Sequence, residues 1–189
     1  MIERIHYRYV SDHMVSLDDL PPVGRIEDRR HFFSALSDSN QFMFHGSQRG
    51  TISALSPKRE SSDSSVFGNK QQVFATPDIF WAMWFALLVR GQVKSTHNGC
   101  FIDRGKRITY CQFAIDAESY SVNPCPLSQG WIYVLSRETF TSRNMEVRCG
   151  ELYLAEFGSS VPVTPITKIE VHPSDFPYAA LIQPYNAAQ

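Results

Sequence analysis

Apolar positions change period partway along the chain. From Arg25 to Leu36, the residues Ile26, Phe33 and Leu36 fall on one side at helical spacing with charges opposite, which predicts a helix after the Pro21-Pro22 break. Short apolar runs predict strands at Ile5 to Val10, Phe42 to Phe44 and Gln72 to Ala75. The segment Asp78 to Arg90 is apolar almost all round, with Trp81, Trp84 and Phe85, and such a helix belongs in a core. Thr76 stands where it would cap this helix, Pro77 suits the first helical position, Asp78 favours the positive end of the dipole, and Gly91 would stop it. Beyond it the pattern is that of strands, at Ile108 to Ile115, Trp131 to Leu135, Glu151 to Phe157, Val161 to Val163 and Lys168 to Val171. Ser53 to Ser65 is polar and serine-rich and reads as a surface loop. The expectation is an α+β fold with a mixed or antiparallel sheet, made of a helical cap over residues 1–40 and a main domain over 41–189.

Composition narrows the function classes. An apolar share of 43% with 13% aromatics supports a packed core and excludes wholesale disorder. A formal charge of -1 leaves no global field for non-specific nucleic-acid binding. Cys100, Cys111, Cys125 and Cys149 form no C-x-x-C pair, so the thiols read as reduced and intracellular. His97 and Cys100 lack a second ligand pair, and no metal site is expected. The N-terminus is too polar for a signal peptide, and the run Ile79 to Val89 falls short of the roughly 20 residues a bilayer span needs, so a cytoplasmic protein without membrane association is expected. No Gly-x-Gly-x-x-Gly loop opens a dinucleotide-binding unit.

Three short motifs carry candidate chemistry. His45-Gly46-Ser47 follows a strand, Val73-Phe74-Ala75-Thr76 runs into the greasy helix, and Glu156-Phe157 precedes Val161-Pro162-Val163. In this order they resemble the ADP-ribosyltransferase superfamily, in its His–aromatic–Glu branch (the diphtheria-toxin and poly-ADP-ribose-polymerase type), over roughly residues 41–171. The resemblance implies a split-sheet fold and NAD as co-substrate, with no metal. It implies that His45 holds a ribose hydroxyl, that Gly46 offers main-chain groups to nicotinamide, with Ser47 and Thr76 beside them, and that Phe74 packs on the pyridine ring where relatives usually carry Tyr. Glu156 is then the catalytic carboxylate, with Glu146 and Glu151 as rivals. Trp81 and Trp84 read as core, with a ring-stacking role kept open for Trp84. The Arg-Ser-Glu-x-Glu signature of the arginine-directed branch and the Arg/His set of RNA 2′-phosphotransferases are absent.

The chemistry accounts for these residue types. Breaking the nicotinamide–ribose bond puts positive charge on the ribose, which a nearby carboxylate stabilises. For the acceptor, Phe101 to Tyr110 sets Arg104, Lys106 and Arg107 between two aromatics, which favours a nucleic-acid base over a protein side chain, while a solvated basic hairpin accounts for it equally. Arg143 and Arg148 would extend a basic rim or bind the NAD pyrophosphate. By analogy with small transferases of this type the chain reads as an intracellular toxin of a toxin–antitoxin or phage-defence module, restrained by a partner protein. An NAD glycohydrolase using the same pocket and a non-catalytic binding protein of the same fold are the alternatives.

Overall fold

The computed structural model describes residues 6–9, 16–57, 70–103, 108–142 and 152–186. In chain order its elements are β1 (His6–Tyr9), α1 (Ile26–Asp38), β2 (Phe42–Ser47), β3 (Val73–Ala75), α2 (Ile79–Leu87), β4 (Thr96–Asp103), β5 (Ile108–Asp116), α3 (Ala117–Val122), β6 (Gly130–Ser136), β7 (Thr141–Ser142), β8 (Leu152–Leu154), β9 (Phe157–Ser159), β10 (Thr167–Val171) and β11 (Gln183–Tyr185). The fold is α+β. One antiparallel sheet has the order β10-β6-β2, a second has β3-β9-β7, and an outer sheet has β1-β5-β4-β8 with β11 alongside β5.

The first two sheets are halves of one surface, joined among the described residues where the Phe44 N–H donates to the Thr76 carbonyl at 2.8 Å and the Thr76 N–H to the Phe44 carbonyl at 3.0 Å. Between the halves lies a small core of Met43, Tyr133 and Leu135 against Val73, Ala75 and Phe157. The main core is built round α2. On one side α2 meets Phe44, Ile132, Val134, Ile169 and Val171; on the other it meets Cys100, Cys111, Phe113 and Ile115 of the outer sheet. A helix covered on both sides, with every residue but half-buried Phe85 out of solvent, has no room for charge, and Ile79–Leu87 contains no charged residue.

Two glycines let α2 approach the sheet. A methyl group at Gly46 would overlap the Ala82 carbonyl oxygen and come within 2.8 Å of the Ala86 nitrogen, and one at Gly130 would overlap the Ala86 carbonyl. Side chains at either position would hold helix and sheet apart.

The stretch before residue 41, expected as a helical cap, contributes to the common core. Phe33 and Leu36 of α1 are fully buried in it, and β1 pairs with β5. Ile26, expected on that buried face, is exposed. The Ser37 hydroxyl oxygen accepts from the Ile79 N–H at 2.7 Å, so α1 caps the start of α2. Buried Arg29 pairs with Asp175 through two bonds of 2.9 and 3.1 Å and donates to the carbonyls of Pro21 and Glu170, so the guanidinium is well satisfied.

Other expectations are corrected by the sheet pairing. The single strand expected over Glu151 to Phe157 is two strands in two sheets: β8 pairs with β4, β9 pairs with β3, and the chain crosses between them at Ala155-Glu156. Among the described residues, Val161 to Val163 pairs by one bridge, from Val163 to Leu55. Helix α2 ends at Leu87 rather than Arg90, because the Ser128 N–H donates to the Leu87 carbonyl and the Val89 N–H to that of Pro126, drawing the chain into an extended bridge.

Asp116 ties the β4 and α3 ends together. Its carboxylate accepts first from the Ser119 N–H, then from the Ser119 hydroxyl and the Ser95 and Lys94 N–H groups, and this holds its pKa down to about 2 from 3.8. A carboxyl depressed by folding contributes stability that is complete above the unfolded value and is lost as pH falls from about 4 towards 2. In thermal melts across that range, Asp116→Asn is expected to flatten the acid-side decline of melting temperature. An unchanged slope would show that Asp116 is not the group responsible.

Candidate functional site

Strands β2 and β3 part immediately after the Phe44–Thr76 bridge. Main-chain groups alternate sides along a strand, so the N–H and C=O of Gly46 face the same way as those of Phe44, towards β3, but beyond the point where pairing ends. The Phe74 carbonyl instead accepts from the imidazole Nδ1 of His45 at 2.8 Å. A side chain thus takes a position that a ladder hydrogen bond would have filled, and main-chain pairing of the two halves stops with the Gly46 N–H and C=O turned towards β3.

This bond fixes the imidazole. A carbonyl only accepts, so Nδ1 carries the proton and Nε2 carries a lone pair. Burial lowers the His45 pKa from its ordinary value of 6.5, opposed by the Phe74 bond, and the ring is neutral at neutral pH. The unfolded chain takes up this proton first, so the contribution to stability is complete above pH 6.5 and declines as pH falls below it. A proton NMR titration is expected to give His45 a midpoint below 6.5, and one at or above that value would refute the neutral ring.

The structure brings some expected site residues together and removes others. His45 and Phe74 are in contact, and both are half-buried. Gly46 turns its backbone groups towards β3, while its missing side chain faces α2 rather than a ligand. The Ser47 hydroxyl accepts from the Arg49 N–H at 3.1 Å and turns the chain out of β2. Thr76 is buried, its backbone held in the bridge to Phe44 and its hydroxyl accepting from the Asp78 N–H at 3.1 Å. It therefore does not cap α2; Asp78 does, accepting from the Trp81 N–H at 2.8 Å. Trp84 is fully buried against Phe113 and Phe176, with ring centroids 5.2 and 6.5 Å away, so it is core and not a cofactor contact. On the flank of α2 beside Ala82 and Ala86, half-buried Phe85 meets Trp81 at 5.8 Å.

Glu156 is half-buried at the crossover between sheets. The residue after it, Phe157, is the β9 partner of Ala75, and Gly158 is the partner of Phe74, so continuing that register sets Glu156 beside Thr76, level with Phe44 at the bridge between the halves. Its rivals Glu146 and Glu151, and the basic residues Arg104, Lys106, Arg107, Arg143 and Arg148, lie outside the described residues. Phe101 and Tyr110, which bracket the basic run, are cross-strand partners of β4 and β5.

One supporting group was not expected. The Tyr133 hydroxyl donates to the Arg49 carbonyl at 2.6 Å and accepts from the Ile52 N–H at 3.1 Å, while Gly50 packs on the Trp131 indole and Lys168 lies 4.8 Å from that ring. These contacts fix the loop that follows Ser47. The signal was in the Trp131–Tyr133–Leu135 alternation: a tyrosine on a buried face needs a partner for its hydroxyl.

Among the described residues, one group of donors clusters closely enough to hold a metal: Asp78, Cys100 and Cys111, with ligand atoms within 4.8 Å of one another. No helix among them is long and apolar enough to cross a membrane. No family model, curated protein or solved structure matches the chain.

Proposed function

We propose that the chain is an NAD-dependent mono-ADP-ribosyltransferase whose acceptor is a nucleic-acid base. The supporting observation is the end of pairing between β2 and β3, where a neutral imidazole is fixed beside a glycine whose N–H and C=O face β3 past the last bonded pair. That donor–acceptor pair suits a planar carboxamide such as that of nicotinamide, and the Nε2 lone pair of His45 suits a ribose hydroxyl. These residues fit NAD.

In this reading Gly46 donates to the carboxamide oxygen and accepts from its amino group, and the Phe74 ring packs on the pyridine. The reaction breaks the bond from the ribose anomeric carbon to the nicotinamide nitrogen, which leaves with the electron pair, and forms a bond from that carbon to the acceptor. Glu156 stabilises the positive charge that gathers on the ribose and orients the adjacent hydroxyl. Such an activity inside a cell calls for a neutralising partner protein and a cytoplasmic site of action, and both belong to the proposal.

The test is incubation with NAD labelled in its adenylate phosphate, in the presence of RNA, DNA and protein pools. Nicotinamide release with label on nucleic acid is the expected result. Label on protein alone would change the acceptor, and free ADP-ribose equal to the nicotinamide released would make water the acceptor. No product, together with no heat on NAD titration, would overturn the proposal.

A further inference from the structure

Cys100 and Cys111 are direct cross-strand partners in β4 and β5, both fully buried, with sulfurs 3.3 Å apart. The Cys100 carbonyl accepts from the Ala155 N–H at 2.7 Å, on the β8 side. Its main-chain groups therefore point away from β5, and the pair with Cys111 is of the non-hydrogen-bonded kind, in which the α-carbons approach to about 4.5 Å. That separation is within the range of about 4.4–6.8 Å that a disulfide spans. From this geometry we infer that Cys100 and Cys111 form a cross-strand disulfide when the chain encounters a disulfide oxidant.

The same atoms are a poorer metal site. Two thiolates on one tetrahedral zinc, each about 2.3 Å from it, lie about 3.8 Å apart, and a fourth donor is required. Here the sulfurs are already closer than that, and the third donor, the Asp78 carboxylate, is committed to capping α2. Both thiols are fully buried, out of reach of an oxidant in the closed fold, so the reaction proceeds during folding or local opening.

With glutathione disulfide as oxidant, one cysteine thiolate attacks it and releases a glutathione thiolate. The second cysteine thiolate then attacks the protein sulfur of the mixed disulfide, forming the Cys100–Cys111 bond and releasing the other glutathione. The two cysteines lose two electrons and two protons, and glutathione disulfide gains them as two thiols. The inference is independent of the proposed NAD chemistry.

The experiment uses the full chain carrying Cys125→Ser and Cys149→Ser, equilibrated both folded and through unfolding and refolding in glutathione buffers of graded ratio. Samples are acid-quenched, denatured, labelled with a maleimide and weighed intact. The expected product takes no maleimide, carries no glutathione and weighs two hydrogens less than the dithiol. Its ratio to the dithiol should change tenfold for each tenfold change in the glutathione couple. Two maleimides at every ratio, a glutathione adduct as the end state, or protection by one chelatable zinc per chain would each overturn the inference.

Discussion

Glu156→Gln is expected to lower nicotinamide release from NAD by at least about a hundredfold while leaving NAD affinity within a small factor. The amide keeps the shape of the side chain and removes its charge. If the carboxylate acts on charge that appears only as the nicotinamide bond breaks, the loss falls on kcat and leaves ground-state binding alone. Calorimetric titration with NAD and a steady-state nicotinamide assay separate the two. A variant as active as the parent would remove Glu156 from the chemistry. A variant that loses binding and turnover together would make it a structural residue of the crossover.

Gly46→Ala is expected to cost about 3 kcal/mol of stability, at the upper end of what overpacking a core usually costs. The new methyl meets main-chain atoms of α2 at Ala82 and Ala86, and backbone cannot rotate aside as a side chain can. Either α2 lifts from β2 or the strand bends away. The measurement is the urea midpoint at unchanged m-value, with Gly91→Ala as control, because a methyl at Gly91 meets nothing within 4 Å. The control should stay within about 0.5 kcal/mol of the parent. If Gly46→Ala matches it, β2 and α2 are not in the contact described.

Local signals were legible in the sequence where one element supplied them. Helix α2 announced itself by an uninterrupted apolar run, and β2 and β3 by short runs flanked by polar residues. What pairing decides was not legible. The stretch Glu151 to Phe157 reads as one strand because apolar residues recur through it, although its partner changes from β4 to β3 halfway. Thr76 has the chemistry of a cap, but a long-range bridge to Phe44 claims its backbone and moves the cap to Asp78. Gly46 was singled out for ligand access, whereas the demand for a glycine there comes from α2. Trp84 reads as core from its all-apolar helix, and its full burial against the outer sheet closes the ring-stacking role that the sequence leaves open. The His45–Phe74 bond spans 29 residues of sequence and no local pattern encodes it.

The double covering of α2 has a consequence for synthesis. Its nine residues leave the ribosome before β5, β6 and β10, the strands that will enclose them, have been made. During that interval an uncharged aromatic segment is open to self-association, without the charged gatekeepers that commonly interrupt such runs. Nascent chains halted before residue 130 should therefore engage hydrophobic-segment chaperones or aggregate, and release from them should await translation of the C-terminal third.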